Sequence, residues 1–335
     1  MARRKKVLVT GAKGMLGTDL VACLKRTRRY DIVAVDIGEM DITHLAHVKA
    51  VLFDHRPQIV VHCAAYTNVD QAERERELAM AVNSEGTKNV AFFCRELGAE
   101  MIYLSTDYVF DGTKQSPYVE TDRPNPINVY GASKLAGEEH VAVLIERHKI
   151  CRTSWLCGIH GCSFIDSILR AVEERQPLAV VNDQVGRPTF TFDLASALVR
   201  LLERSDYGIF HVTNSGYCSW YEFAQRIVKL SGVRATEVRP VKSSRFQSLA
   251  RRPLYSVLEN QRLAQLGFRP LPRWEDSLKE YFARRACLAE RRATRRQPPA
   301  RTAGRNGGPA SPNGGSASPN GGPRTRKRKT GEKRG

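Results

Sequence analysis

No apolar run in the 335 residues approaches the ~20 that a membrane-spanning helix requires. Cysteine is sparse and scattered: there are eight, with no CxxC pair and no Cys/His spacing of the kind that holds zinc. Cys151, Cys157 and Cys162 lie near one another, but in a reduced compartment such residues read as small buried hydrophobes, not as disulfide or metal partners. A secretory leader is not expected at this end either. Met1-Ala2-Arg3-Arg4-Lys5-Lys6 is basic, yet only Val7-Leu8-Val9 follows before Thr10-Gly11, which reads as a first strand behind a basic start. The expectation is a soluble, cytoplasmic protein with no membrane partner. Acidic residues are scarce at one end only. From residue 284 onward fifteen Lys/Arg face two Asp/Glu, while the rest of the chain carries 38 against 33. The net charge of +18 is therefore mostly a property of the tail. Nucleic acid is not an expected partner of the body, and the run Arg324–Lys329 leaves open only weak contact through the tail.

What is present centres on residues 104–134, LSTDYVFDGTKQSPYVETDRPNPINVYGASK. Met101-Ile102-Tyr103-Leu104 reads as a buried parallel strand that delivers Ser105, Thr106 and Asp107 to its carboxyl end. Open α/β sheets keep their ligand crevice at that end. After a Pro-rich loop, Tyr130 enters a helical pattern with Lys134 one turn later on the same face. An ammonium beside a phenol favours the phenolate, so Lys134 is expected to lower the Tyr130 pKa from its usual ~10. Such a tyrosine exchanges a proton with a carbonyl oxygen as hydride moves to or from its carbon. As an isolated pair, the two residues read more readily as packing and surface than as catalysis.

The company the pair keeps decides between these readings. Val7–Thr10 is β-rich, Gly11-Ala12-Lys13-Gly14-Met15-Leu16-Gly17 follows without a gap, and residues 18–24 suit a helix. In that strand–turn–helix setting Gly11 permits the turn, Gly14 lets backbone approach a pyrophosphate, and Gly17 allows close helix–sheet packing. The helix N-terminus then offers N–H groups to phosphate. A second strand, residues 32–36, ends in Asp36, nineteen positions after Gly17, where a carboxylate accepts from an adenosine ribose. That charge would repel a 2′-phosphate and favours NADH, while Lys13 keeps NADPH open. Asp41-Ile42 sits where adenine would be held. The third strand, residues 59–63, closes on Ala64-Ala65-Tyr66, small enough at its start for close cofactor approach. Asp70, Glu73 and Glu75 read as a solvated face, as do Glu138 and Glu139 on the Tyr130 helix. Trp155, at the end of a further strand, is either core filler or a platform for a planar ligand. Ser219 and Glu222 form a capping box that opens a helix. Past Arg291, Ala-Ser-Pro-Asn-Gly-Gly occurs twice, at 310–315 and 317–322, a composition that cannot bury enough apolar area to order itself.

These stretches together resemble the dTDP-4-dehydrorhamnose reductase family of extended short-chain dehydrogenase/reductases. The likeness covers about residues 5 to 283. It rests on GxxGxxG, Tyr-x-x-x-Lys, and the segments Ala64–Glu73, Ser105–Gly112, Asn128–Glu138 and Asp183–Thr189. It implies an α/β fold with a doubly wound Rossmann-type parallel sheet and a smaller C-terminal α+β substrate domain. The expected divisions are 1–155 with 179–215 for the dinucleotide domain, 156–178 with 216–285 for the nucleotide-sugar domain, and 286–335 for a disordered basic tail. The resemblance assigns Tyr130 as proton donor, Lys134 to the nicotinamide ribose, and Thr106 to the substrate carbonyl. It places Gly14, Met15 and Leu16 at the pyrophosphate, Asp36 at the ribose, and Ala64, Ala65 and Tyr66 on the cofactor's inner side. Thr106, Asp107 and Trp155 would contact the deoxysugar nucleotide. Some relatives hold magnesium between subunits through glutamates. Asp19 and the neighbourhood of Thr191 stand at those positions here, so no obligatory metal is expected, and a homodimer is left open. The implied activity is NADH- or NADPH-dependent reduction of dTDP-4-dehydro-L-rhamnose. The alternatives are a reductase or epimerase of another nucleotide sugar, or a non-catalytic regulatory subunit like the methionine adenosyltransferase β subunit.

Overall fold

The computed structural model describes residues 4–233, 237–246 and 248–296, with side chains through residue 290. The chain divides after Arg291 into a large unit and a C-terminal one. Within the first, apolar runs alternate with amphipathic stretches, and strands alternate with helices accordingly. β1 (Lys5–Thr10), α1 (Met15–Thr27), β2 (Tyr30–Val35), α2 (Leu45–His55) and β3 (Ile59–His62) come first. α3 (Val69–Arg74), α4 (Arg76–Met80), a π-helical turn over Ala81–Gly86 and α5 (Thr87–Leu97) lead into β4 (Glu100–Thr106). Next are α6 (Val129–Leu144), β5 (His148–Thr153), β6 (Leu156–Cys157), α7 (Phe164–Glu173), β7 (Leu178–Val181), β8 (Val185–Gly186) and β9 (Thr189–Phe190). The chain continues with α8 (Thr191–Leu202), β10 (Gly208–His211), β11 (Cys218–Ser219), α9 (Trp220–Ser231), β12 (Val238–Val241), α10 (Gln261–Gln265) and α11 (Trp274–Arg296).

Six strands form one parallel sheet in the order β10-β5-β4-β3-β1-β2. Side chains alternate between its faces, and both faces are apolar, the signature of a parallel sheet covered on each side. Val7 and Val9 pack with Leu20 and Leu24 of α1 and Leu198 of α8. Leu8, between them, packs on the opposite side with Leu52 of α2 and Val90 and Phe93 of α5. Strand order reverses at β1, whose neighbours are β2 and β3. A ligand crevice opens at the carboxyl ends beside such a switch point. A second, smaller core joins α7, α9 and α11 to the β7/β12 pair through Ile165, Leu169, Phe223, Ile227 and Leu278. The expected doubly wound α/β fold is therefore present.

Local signals and structure diverge in three places. The amphipathic stretch Ala79–Leu97 reads as one long helix, yet the helix starts at Arg76 and is interrupted by the π-helical turn. Beside the anticipated capping box at Ser219 and Glu222, a second one occurs at Ser163 and Asp166. α11 extends to Arg296, past the boundary at 286 where a disordered tail was expected. Residues 297–335, with the rest of that expectation, lie outside the described residues. No described helix is long and apolar enough to cross a membrane.

Candidate active site

The crevice at the carboxyl ends of the strands is a cleft of about 960 Å³. Its lining includes every residue assigned above to catalysis, cofactor or substrate except Tyr66. At one end β1 passes into the glycine loop. Gly11 adopts φ +61°, and a side chain there would meet the Ala64 backbone nitrogen at 2.7 Å. A Cβ on Gly17 would lie 2.1 Å from the Gly11 carbonyl oxygen, so α1 approaches β1 more closely than any other residue permits. Gly14 caps α1 without a side chain, which leaves the first-turn N–H groups of Met15, Leu16 and Gly17 facing the cleft uncapped by any side chain. A helix start of this kind carries partial positive charge and suits phosphate.

Asp36 terminates β2 across from this loop. Its carboxylate accepts from the backbone N–H groups of Lys13 at 2.8 Å and Ile37 at 2.9 Å. The Lys13 ammonium turns instead to Glu39 at 2.7 Å. Asp41 accepts from the N–H and hydroxyl of Thr43, which hold its carboxyl below the usual range. Ile42 is buried, and its carbonyl oxygen accepts from Asn89. Ala64 and Ala65 line the cleft. Tyr66 turns away: its hydroxyl donates to Glu75 and its N–H donates to Asn83.

At the other end β4 presents Thr106 and Asp107, both buried. The Thr106 hydroxyl donates to Asp107 at 3.1 Å and accepts from the Tyr108 N–H at 3.2 Å. Ser256 donates to the second oxygen of Asp107 at 2.5 Å. Burial pushes the Asp107 carboxyl up to about 7, against the pull of these donors. Asn128 caps α6 by accepting from the Gly131 N–H, which fixes Tyr130 in the first helical turn. The Tyr130 ring stands edge-on to Tyr108 at 6.0 Å. Lys134, one turn on, is 2% exposed, with its ammonium 4.1 Å above the Tyr103 ring.

This geometry alters one expectation. Burial pushes the Tyr130 phenol up to about 12, and the group drawing it back down is the Thr106 hydroxyl, not Lys134. Lys134 is itself displaced: burial brings its ammonium down to about 7, opposed first by Glu138 and then by Cys63. A buried lysine that titrates near neutrality inside a cleft marks a reactive site.

Two acidic readings are corrected. Glu138 is not outward. It is 3% exposed and takes Arg152 bidentately, because the position one turn beyond Lys134 faces the sheet, where the buried Arg152 needs a counterion. Glu139 does lie outside. Asp70, Glu73 and Glu75 are half-buried tethers rather than a solvated face. Asp70 binds Arg252, Glu73 accepts from the Val129 N–H, and Glu75 accepts from Tyr66. Asp19 accepts from the Thr191 hydroxyl, with His160 3.6 Å away.

Sequence reasoning missed two residues of the lining. Arg252 is one of two cations there, with Lys134, and is held 182 residues away by Asp70 at 2.6 Å. Trp220 stacks on Trp155 at 3.4 Å, 5° from parallel. Trp155 has φ +45°, and Gly186 packs so closely that a Cβ would lie 2.4 Å from the indole. Trp155 therefore lines the cleft instead of filling the sheet core. No local pattern announces the stack, whereas Arg252 stood in a polar cluster, 251–256, whose density of hydrogen-bonding groups was the available signal.

Comparison with known proteins agrees with this fold. The family model described as RmlD substrate binding domain matches residues 5–287. A dTDP-4-dehydrorhamnose reductase of Streptomyces griseus is 42% identical over 285 residues, covering 83% of this chain and 93% of the relative. A dTDP-4-keto-6-deoxy-D-glucose reductase of Streptomyces niveus is 41% identical over 276 residues, covering 82% and 96%. Among solved structures, dTDP-4-dehydrorhamnose reductase from Bacillus anthracis in complex with NADP superposes with a TM-score of 0.82 at 42% identity, covering 84% of this chain and all of that one. The chain belongs to the dTDP-4-dehydrorhamnose reductase family of extended short-chain dehydrogenase/reductases.

Proposed function

We propose that this protein is an NAD(P)H-dependent reductase that converts dTDP-4-dehydro-L-rhamnose to dTDP-L-rhamnose. The observation that carries the reading is the convergence of Thr106, Tyr130 and Lys134 on a cleft that also holds a glycine-loop helix start. The residues fit a nicotinamide dinucleotide. Gly17 permits an approach that no side chain would, and the uncapped turn of α1 offers N–H groups to a diphosphate. When bound, the cofactor supplies hydride to the C4 carbonyl carbon of the sugar.

The chain's residues do the rest. Thr106 donates to the carbonyl oxygen and polarises it. Tyr130 gives that oxygen its proton as negative charge gathers there, a placement of donors that lowers the barrier. Its phenol stays protonated at neutral pH, as a donor must. Lys134 holds the nicotinamide ribose. Asp107 and Trp155 hold the deoxysugar from the edge of the dinucleotide domain, 1–155 with 179–215, opposite the substrate domain formed by 156–178 and 216–285. Asp36 faces the adenosine ribose with its carboxylate and disfavours a 2′-phosphate, so NADH binds more tightly than NADPH.

Purified protein given dTDP-4-dehydro-L-rhamnose should consume NADH, followed by loss of nicotinamide absorbance, with a lower Kd for NADH than for NADPH. Similarity to a D-glucose-series reductase favours one second reading, reduction of another dTDP-4-keto-6-deoxysugar. A panel of nucleotide 4-keto sugars distinguishes the two by kcat/KM. Absence of turnover with the whole panel would sink both.

A further inference from the structure

We propose that Glu138, locked by Arg152 and Ser105 beneath the cleft, is a positioning residue that acts through Lys134 by holding a negative charge one helical turn behind it. This rests on the reading in which Tyr130 and Lys134 carry the reduction. Tyr130, Lys134 and Glu138 occupy successive one-turn steps of α6, so they share one helix face. Glu138 receives Arg152 Nε at 2.9 Å, Arg152 Nη2 at 2.6 Å and the Ser105 hydroxyl at 2.5 Å. The sheet register pairs Ser105 with Arg152, so both donors reach the carboxylate from adjacent strands. Glu138, Arg152 and Ser105 are each at most 4% exposed. The carboxylate is thus fixed from two strands at once.

Stability is a weak explanation for this arrangement. A buried ion pair often contributes no more than a well-packed apolar substitute of similar volume. Arg152 also leaves Nη1 without a hydrogen-bond partner among the described residues. The pair sits directly along the helix from Lys134, whose ammonium has no carboxylate within ion-pair distance among the described residues and rests on the Tyr103 ring. The titratable and charged groups around that ammonium are Tyr130 and Glu138 on α6, His62 and Cys63 at the end of β3, Tyr103 on β4 and Arg152 on β5. Burial keeps His62, Cys63 and Tyr103 uncharged at neutral pH, so Glu138 is the anion of this group. It opposes the desolvation of Lys134. Without it the ammonium gives up its proton at lower pH, and an uncharged amine is a poorer partner for ribose hydroxyls.

The test compares wild type, Glu138→Gln, Glu138→Asp, Ser105→Ala and Tyr130→Phe as full-length proteins. One readout needs neither cofactor nor substrate: competitive acetylation of Lys134 against pH, quantified by peptide mass spectrometry. The other is the pH profile of kcat/KM. In Glu138→Gln the half-labelling pH and the basic limb of kcat/KM both move down by about one unit, roughly a tenfold loss on that limb. Glu138→Asp recovers part of the shift. Should Glu138→Gln fail to fold, Ser105→Ala must move both readouts the same way by a smaller amount. A folded Glu138→Gln, or failing that Ser105→Ala, with wild-type labelling and an unmoved limb overturns the proposal. Failure of the underlying reading looks different: Tyr130→Phe then retains turnover, or wild type consumes no NADH, whatever the labelling shows.

Discussion

β1 runs through Val7, Leu8 and Val9 before it reaches Thr10, and β3 through Ile59, Val60 and Val61 before His62. β4 runs from Met101 to Leu104 before Ser105 and Thr106, β5 through Ile150 and Cys151 before Arg152 and Thr153, and β10 through Phe210 before His211. All of these residues are buried. The sheet thus has two halves at similar depth, one mostly apolar, with the Tyr103 hydroxyl and the Lys149 ammonium as its partnered exceptions, and one in which nearly every side chain needs a partner. Thr10 bonds His62 at 2.7 Å, His62 bonds Thr87, Ser105 bonds Glu138, and His211 reaches the carbonyls of Tyr118 and Glu259. A buried polar group left unpaired costs about 1–3 kcal/mol. The polar half therefore carries this risk at far more positions than the apolar half does, and it is the half that borders the cleft.

Substitutions on either side of that divide should separate activity from stability. Tyr130→Phe removes one hydroxyl at the polar end. Its kcat should fall on the order of a thousandfold while Tm and cofactor Kd stay close to wild type. A variant that keeps most of its kcat would remove Tyr130 from the reaction. Leu8→Ala does the reverse. It opens a cavity beneath Leu52 and Val90, lowers stability by about 2–5 kcal/mol in urea unfolding, and leaves kcat per folded molecule intact. A loss of kcat without loss of stability would erase the distinction between the halves.

The smallest effect is the polar half's contribution to pH dependence. Burial holds the His62 and His211 imidazoles neutral down to about 3. The unfolded chain protonates them near 6.5, so it binds two more protons in that window and the folded state loses stability as pH falls. Asp107 works the other way. Its folded carboxyl protonates at about 7 rather than near 3.8, so the folded state holds one extra proton there. The net is one proton, or about 1.4 kcal/mol of stability lost per unit of acidification between roughly pH 4 and 6. Urea midpoints across that range check it. A His62→Asn and His211→Asn double variant should reverse the slope.

Sequence alone made much of the apolar half legible, because strand length, alternation and flanking glycines are local properties. The glycine loop, the carboxylate at Asp36 and the Tyr130/Lys134 step could likewise be read from spacing. What escaped was decided by distant partners. Glu138 read as outward because helical periodicity does not reveal that a strand places Arg152 underneath. Asp70 read as solvated because Arg252 arrives from 182 residues away. The Trp155 and Trp220 stack needs two loops to meet. The Tyr130 phenol was expected to be acidified by a neighbour, whereas desolvation is the larger influence on it.

The π-helical turn between α4 and α5 bears on how this chain tolerates changes in length. A wide turn accommodates one residue more than an α-helical turn does, and each residue of an α-helix advances ~100°. Within it, Asn83 ties Tyr66 to Ser133 through its amide. Loss of a single codon from 81 to 86 would remove that extra residue and let the helix regularise with both flanks keeping their present faces. Ala79 and the row Val90, Ala91, Cys94 would stay buried, while Asn83 would lose the widened backbone that sets it on both tethers. The cost of such a deletion should therefore fall on the link between Tyr66 and Ser133, not on the packing of the helix.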